Sequence, residues 1–350
     1  MKPLISWKPV QYNFNVASAR VRTFLPCQYL QEAGWLCEVF QKENKKQYQL
    51  VVFQKAYEPK DLILAEELKS QGTKIVLDLC DNHFYNPYNL KDYIEKEKRM
   101  SKMIELADAV TVATPELGKL ISHPQVMVID DIIYFYPLSW QGSLRSKFRR
   151  WRNYASNEFR VVWFGNSKLA KVYEREGIKT APSGLSIISK AIPALEKLHR
   201  EQPVRLTVIS NSKQHFERET KGVSFPAVYH EWEISSFPIL FQENDTCIIP
   251  FDINPFTICK TNNRMAASLS LGVSVIADKI PSYAEFSEFA LFENWEENLR
   301  TYATNKKLRQ QHVEQGGKYV RRTYNKQRAI DQWSALFKLV LKDVDKFKKS

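Results

Sequence analysis

Residues 248–278 read IIPFDINPFTICKTNNRMAASLSLGVSVIAD. The stretch opens as an apolar strand that ends at Pro250, runs through a loop past Pro255, and enters a helix near Lys260 and Thr261. A second apolar strand, VSVIAD (273–278), follows Gly272. Strand, helix and strand in that order form the crossover unit of a parallel sheet. In such sheets ligands bind beyond the carboxyl ends of the strands. Thr261 is placed to cap the helix, whose free N–H groups and dipole favour a phosphate. Lys260 and Arg264 stand four apart and share one face of the expected first turn. Arg offers a planar fork and Lys a point charge, so the two suit a diphosphate. The competing account is a surface helix whose basic pair meets nearby acids.

The same rhythm runs through the rest of the chain. In the first half, Leu4 to Trp7, 37–40, 49–53, 74–80, 109–113 and 126–130 read as strands. Helices are expected over about 19–33, closed by Gly34, over 61–72 and 90–106, and after Thr114-Pro115-Glu116. In the second half, FRVVWFGN (159–166), 204–210 and 245–251 read as strands. A helix is expected over 184–200 with Pro193 as a kink, and another from about Asn294 to near the end. An irregular basic stretch at 134–158 separates the two series. Alternating strands and helices predict an α/β protein with two Rossmann-like domains. No Walker A, GxGxxG, HExxH or GxSxG pattern is present, which argues against NTPase, nicotinamide dehydrogenase, metalloprotease and hydrolase chemistry.

The chain has 350 residues, 44% hydrophobic and 26% charged, as expected for a folded globular protein. Its formal net charge is +12. That excess is local: residues 142–152 (GSLRSKFRRWR) hold five basic and no acidic residues, and 318–350 hold ten basic and three acidic ones. The remainder carries 36 of each sign. A neutral body flanked by two basic blocks suits an anionic membrane surface better than nucleic acid. Leu144, Phe148 and Trp151 would share one face of a basic amphipathic helix, or that face would pack on the body. The start, MKPLISWKPVQYNFN, lacks the apolar core of a signal peptide. Five scattered cysteines fit reduced thiols. Together these predict a cytoplasmic protein, peripheral to the inner membrane face if the basic blocks dock there.

Three further segments could carry chemistry. Gly165, Asn166 and Lys168 follow the strongest strand of the second half, where glycine admits close backbone approach and Lys168 could reach a phosphate. Asn13 to Arg22 links a first strand to a first helix, and Ser18, Arg20 and Arg22 are candidates for acceptor binding. Asp81 and His83 end the strand 74–80. Asp81 could act as a base or accept substrate hydroxyls, and His83 could carry a proton. Ordinary turns, surface arginines and loop caps are the plain alternatives.

Taken in order, these segments resemble a family. DTCIIPF, then KTNNRMAASLSLGVSVIADKIPSYAEF, resembles the C-terminal half of GT-B glycosyltransferases of the group 1, GT4-like kind. FRVVWFGN with GLSIISKAIPALEKL is similar to the opening of that domain. ASARVRTFLPCQYLQEAGWLCEVF and ADAVTVATPELGKLI are similar to parts of the N-terminal domain. The resemblance runs from about Leu4 to Tyr319. It implies two Rossmann-like domains facing across a cleft, followed by a helical C-terminal segment. The implied division is 1–140 for the acceptor, 141–158 as a basic connector, 159–318 for the nucleotide-sugar, and 319–350 as a basic helix.

The resemblance also implies roles. Lys168, Lys260 and Arg264 would neutralise the departing diphosphate, with Gly165, Asn166, Thr261, Asn262 and Asn263 around it and Glu285 on the ribose. No metal and no cofactor are called for. The activity implied is retaining transfer from a nucleotide-diphosphate-sugar to a lipid-linked or polysaccharide acceptor. Two glutamates usual in that family fall at Cys259 and Ala267 here, and its glycine-rich N-terminal loop is replaced by Asn13–Ser18. A glycosyltransferase-like nucleotide- or glycan-binding protein without turnover is therefore the second reading, and nucleic-acid binding on charge alone a third.

Overall fold

The computed structural model describes residues 2–41, 46–136, 157–167, 173, 175–178 and 184–346. The basic segment 142–152 and Lys168 lie outside them. The chain divides into two compact units. The first comprises Met1–Ile133, Ile258–Thr261 and Thr323–Ser350; the second comprises Tyr134–Thr257 and Asn262–Arg322.

The first unit is built on six strands: β1 (Leu4–Pro9), β2 (Leu36–Val39), β3 (Leu50–Gln54), β4 (Lys74–Leu79), β5 (Ala109–Val112) and β6 (Val126–Val128). They pair in parallel in the order β2-β1-β3-β4-β5-β6. Every residue of β3 and β5 is buried, as expected of strands covered by helices on both faces. On one face Phe53, Leu77 and Val110 pack with Leu62, Ala65, Met100 and Met103 of the helices Pro59–Ser70 and Lys91–Leu106. On the other, Ile5, Trp7 and Val52 meet Cys27 and Leu30 of the helix Leu25–Glu32.

That second face is completed by the end of the chain. The segment 319–350 does not form one helix: a helix Lys306–Thr323 ends, and a new one, Lys326–Lys346, begins. Trp333, Leu336, Phe337 and Val340 recur at helical spacing and join the core around Trp7. Trp7 meets Trp333 and Phe337 edge to face at 5.5 and 5.6 Å. Two cations of the basic tail are also committed within this unit, Arg328 to Asp130 at 2.6 Å and Lys326 to Glu32.

The second unit has strands β7 (Phe159–Phe164), β8 (Val204–Ser210), β9 (Ala227–Glu231), β10 (Thr246–Ile249), β11 (Ser274–Ala277) and β12 (Leu291–Phe292). They too pair in parallel, in the order β12-β11-β10-β7-β8-β9. Read from the other edge, this is the doubly wound order in which the chain starts at the centre and fills one side, then the other. The helix expected over 184–200 splits into a 3-10 segment, Leu185–Lys190, and an α-helix, Ile192–Glu201. Pro193 therefore opens a helix rather than kinking one, because its missing N–H costs nothing in the first turn. Strands β9 and β12 had no clear sequence signal: both are edge strands whose residues are mostly half-buried. Among the described residues no helix is long and apolar enough to cross a membrane.

Candidate functional site

In each sheet the strand order reverses beside a central strand, and the loops leaving the carboxyl ends there are where ligand groups collect. In the second unit the reversal lies between β7 and β10. Gly165 follows β7 directly. Its φ is +152°, and a Cβ there would come within 3.2 Å of the Trp163 ring, so only glycine fits without displacement. The same hypothetical Cβ would lie 3.8 Å from the Arg264 guanidinium carbon, so Gly165 and Arg264 are neighbours. Ser167 anchors the loop by giving both its N–H and its Oγ to Asn211 Oδ1, at 3.0 and 3.3 Å.

Arg264 lies on the helix Asn263–Ser270. Its guanidinium stacks over Trp163 and Phe164, 5.0 and 5.2 Å from the ring centres. Among the described residues its Nε and Nη2 are buried without a hydrogen-bond acceptor, as are Trp163 Nε1 and Tyr283 Oη. Burial pulls Arg264 below the ordinary arginine value and pushes the Tyr283 phenol up. A guanidinium keeps its charge even so. A buried cation with unmet donors is costly unless an anion joins it, and this is the strongest ligand signal in the second unit.

The neighbouring loops are held by their own side chains. Asp278, just past β11, accepts Phe251 N–H at 2.8 Å and Lys190 Nζ at 2.8 Å, and Lys190 also reaches the Phe251 carbonyl at 2.6 Å. Asn262 Nδ2 donates to Glu285 at 2.8 Å, and Tyr319 Oη donates to the other Glu285 oxygen at 2.5 Å. Glu285, expected on a ribose, thus braces the start of the Arg264 helix. Asn166 is exposed on the Gly165 loop, and Asn263 is the first residue of the helix.

The structure corrects the pairing of Lys260 with Arg264. A 3-10 turn, Thr257–Cys259, intervenes, and the helix starts only at Asn263 with Asn262 as its cap residue. Thr261 is no cap; its side chain hydrogen-bonds Asp131. The four-residue spacing therefore never becomes one helical face. Lys260 and Thr261 belong to the first unit and Arg264 to the second. Cys259 is buried in the first unit's core, and its carbonyl accepts Thr114 Oγ1 at 3.0 Å.

In the first unit the reversal lies between β1 and β3. Lys55 leaves β3 with φ +53°, a conformation that costs a non-glycine residue about 1–3 kcal/mol. Asp81 leaves β4, and its two carboxylate oxygens take Lys55 and Lys260, each at 2.5 Å. Burial alone would raise Asp81, but the two ammoniums overcome it and hold the carboxyl well below its usual range. With one ammonium on each oxygen, Asp81 serves here as a counter-ion, an arrangement that speaks against a role as a base and leaves lone pairs for a substrate hydroxyl. His83 Nδ1 contacts the Tyr57 hydroxyl. Burial and Lys55 keep the ring neutral, well below the usual histidine range. In the tautomer in which the phenol donates to Nδ1, the ring proton would sit on Nε2.

Arg20 and Arg22 are not surface cations. Arg20 is 3% exposed and ties Phe14 O and Asn15 O at 2.9 and 3.3 Å, closing the loop that precedes it. Arg22 is fully buried, paired with Asp78 and with Asp131, and it donates to Ile129 O. Both sit in a π-helical turn, Arg20–Phe24, in which Val21 and Thr23 are buried as well. Buried and bonded in this way, Arg20 and Arg22 speak against the acceptor role expected of them. Ser18 lies half-buried in the preceding helical turn. Sequence reasoning missed Lys55, Tyr57 and Lys96, although Lys55 follows a strand end directly, the one signal that marks it.

The His83 state has a consequence for stability. Its ordinary value is 6.5, and the folded value is lower. Below pH 6.5 the unfolded chain therefore takes up a proton that the folded chain refuses, and stability falls with pH until the folded value is passed. The slope contributed is at most about 1.4 kcal/mol per pH unit. His83→Gln should flatten the decline in melting temperature between pH 7 and pH 5. An unchanged decline would contradict the neutral buried state.

No protein-family model matches the sequence, and neither does any curated protein. Solved structures do match in fold. Sucrose-phosphate synthase from Thermosynechococcus elongatus superposes with a TM-score of 0.70 at 12% identity, over 98% of this chain and 100% of that one. HepE from Anabaena, in complex with UDP and glucose, gives 0.66 at 12% identity over 96% and 99%. An alpha-glucosyltransferase in complex with UDP and a 13-mer DNA gives 0.60 at 9% identity over 97% and 100%. Identities this low carry the architecture and not the chemistry. The chain has the GT-B fold of these glycosyltransferases, two α/β domains with parallel six-stranded sheets and C-terminal helices.

Proposed function

We propose that the protein transfers a sugar from a nucleotide-diphosphate-sugar to an acceptor hydroxyl. The second unit would hold the donor, and the observation that carries this is Arg264. Its unmet donors sit beside Gly165, at the strand reversal, on rings that fix the guanidinium plane. A diphosphate there would satisfy them and stabilise the charge that develops as the sugar leaves. Lys168 is a further candidate for that charge. Transfer with retention, neutralised by protein cations, is the form we favour. UDP bound in two of the structural neighbours makes a uridine donor the first to test. The acceptor would meet the first unit, where Nε2 of His83 would exchange a hydrogen bond with a sugar hydroxyl. A lipid-linked or polysaccharide acceptor would agree with membrane binding through the basic composition of residues 142–152. Co-sedimentation with anionic but not neutral vesicles is expected; equal binding to both would contradict that contact.

A second reading has its own observation. The position of one family glutamate is Cys259, buried in the first unit's core. A binding protein without turnover follows if that acid is indispensable. A panel of nucleotide-sugars separates the two. Transfer activity predicts a raised melting temperature with one donor and release of its nucleoside diphosphate when acceptor is added. A raised melting temperature without release supports the binding protein, and no shift with any donor contradicts both.

A further inference from the structure

Arg264 is the second residue of a helix with little local support for its start. Asn263–Ser270 is eight residues long, and isolated helices shorter than about 12–15 residues are marginal in water. Its cap position is Asn262, a residue type whose side chain usually accepts an N–H of the first turn. Here the side chain does not cap the helix. Its Nδ2 donates to Glu285 Oε1 at 2.8 Å instead. The backbone of Asn262 still belongs to the helix, since its carbonyl accepts Ala266 N–H at 2.9 Å. Glu285 itself lies on the 3-10 segment Pro281–Phe286, past β11.

The support comes from the helix Lys306–Thr323, whose residues up to Arg322 lie in the same unit. Tyr319 Oη donates to the second Glu285 oxygen at 2.5 Å. The ring that carries this hydroxyl packs on Phe286 and Phe289, with centroids 5.6 and 5.3 Å apart, so the hydroxyl has a fixed place. About one turn earlier the same helix meets the last turn of Asn263–Ser270. A Cβ on Gly316 would lie 2.9 Å from a Leu269 methyl and 3.0 Å from Phe289 Cβ, and one on Gly317 would lie 3.1 Å from the Leu269 carbonyl oxygen. Glycine is what lets the two helices approach this closely. Lys306–Thr323 therefore holds the Arg264 helix at both ends, by packing at Leu269 and by the chain Tyr319, Glu285, Asn262 at the start.

We propose that Glu285 is a positioning residue for donor binding. Bridging Tyr319 and Asn262, it fixes the first turn of Asn263–Ser270, and with it the angle at which Arg264 presents Nε and Nη2 from its place over Trp163 and Phe164. A planar fork gains its full strength only when it is aligned with its anion. The inference rests on the donor reading for the ligand that Arg264 meets. It assigns Glu285 to the helix rather than to the ribose, and it gives Tyr319 an effect on nucleotide affinity.

Amide hydrogen exchange and UDP calorimetry on the whole protein test it. Tyr319→Phe removes only the hydroxyl and keeps the ring on Phe286 and Phe289, so the fold is expected to hold. In the free protein, exchange of the Ala266 amide should quicken in Tyr319→Phe and in Glu285→Ala. UDP affinity should fall about threefold to tenfold in each, the worth of one net hydrogen bond. The double variant should lose no more than Glu285→Ala alone, because both act through one chain. Glu285→Gln keeps an acceptor for Asn262 and a donor for the Tyr319 oxygen, and should recover the affinity lost in Glu285→Ala. A ribose contact predicts a different pattern: Glu285→Ala weakens UDP and Tyr319→Phe does not, and that result overturns the inference. Unchanged Ala266 exchange in both single variants, or additive losses in the double variant, overturns it as well. UDP bound by the wild type, lost in Arg264→Met and indifferent to Tyr319→Phe sinks the inference and leaves the donor reading standing. UDP unbound by the wild type sinks the donor reading, and the exchange result then decides by itself whether Glu285 fixes the helix.

Discussion

Arg264→Met is expected to remove nucleotide binding while leaving the fold intact. Truncating one partner of a buried charge pair typically costs about 2–5 kcal/mol of binding, a factor of roughly 30 to several thousand in affinity. Stability responds differently. The substitution gives up the stacking of the guanidinium on Trp163 and Phe164, worth about 0.5–2 kcal/mol. It also removes two buried nitrogens that no described residue satisfies, a gain of similar size. The melting temperature should therefore stay within about 4 °C of the wild type. Titration with UDP and a thermal scan on the same samples check both halves. Unfolding of the variant would mean that Arg264 is structural. Unchanged UDP affinity would mean that the diphosphate sits elsewhere.

Arg22→Ala is expected to do the reverse. Arg22 pairs with both Asp78 and Asp131 in the interior, and Asp78 also accepts Thr111 Oγ1 at 2.7 Å. Removing the cation leaves two carboxylates in a buried site. Breaking a buried pair this way costs about 3–5 kcal/mol, a large part of the roughly 5–15 kcal/mol by which domains are stable. The variant should melt far below the wild type, or accumulate unfolded, with any loss of activity following the loss of fold. Circular dichroism melts decide it. A variant that melts normally but no longer uses its acceptor would restore Arg22 to the binding role that its sequence position suggested.

These two arginines mark the boundary of what the sequence can tell. The central strands were legible because strands covered on both faces are unbroken apolar runs, as in Leu50–Phe53 and Val161–Phe164. The short edge strands β9 and β12 carry too few buried residues to stand out. Gly165 was found because it follows a strand end, and Arg264 because it lies on a helix after one. Their surroundings were not legible: Trp163 and Phe164 lie about a hundred residues before Arg264. The pairing of Lys260 with Arg264 failed for a local reason. The four-residue rule holds only inside a helix, and a 3-10 turn at Thr257–Cys259 delays the helix to Asn263. The burial of Arg22 could not be foreseen, since its partners lie 56 and 109 positions away. Likewise, the basic C-terminal block hid an apolar stripe, and Trp333 and Phe337 made it core.

The central claim is that the carboxyl edge of β7 and β10 holds the donor's diphosphate. A crystal structure of the protein with UDP tests it most directly. The account predicts phosphate oxygens within hydrogen-bond distance of Arg264 Nε or Nη2 and against the Gly165 backbone. A diphosphate bound elsewhere, with Arg264 still without an acceptor, would contradict it.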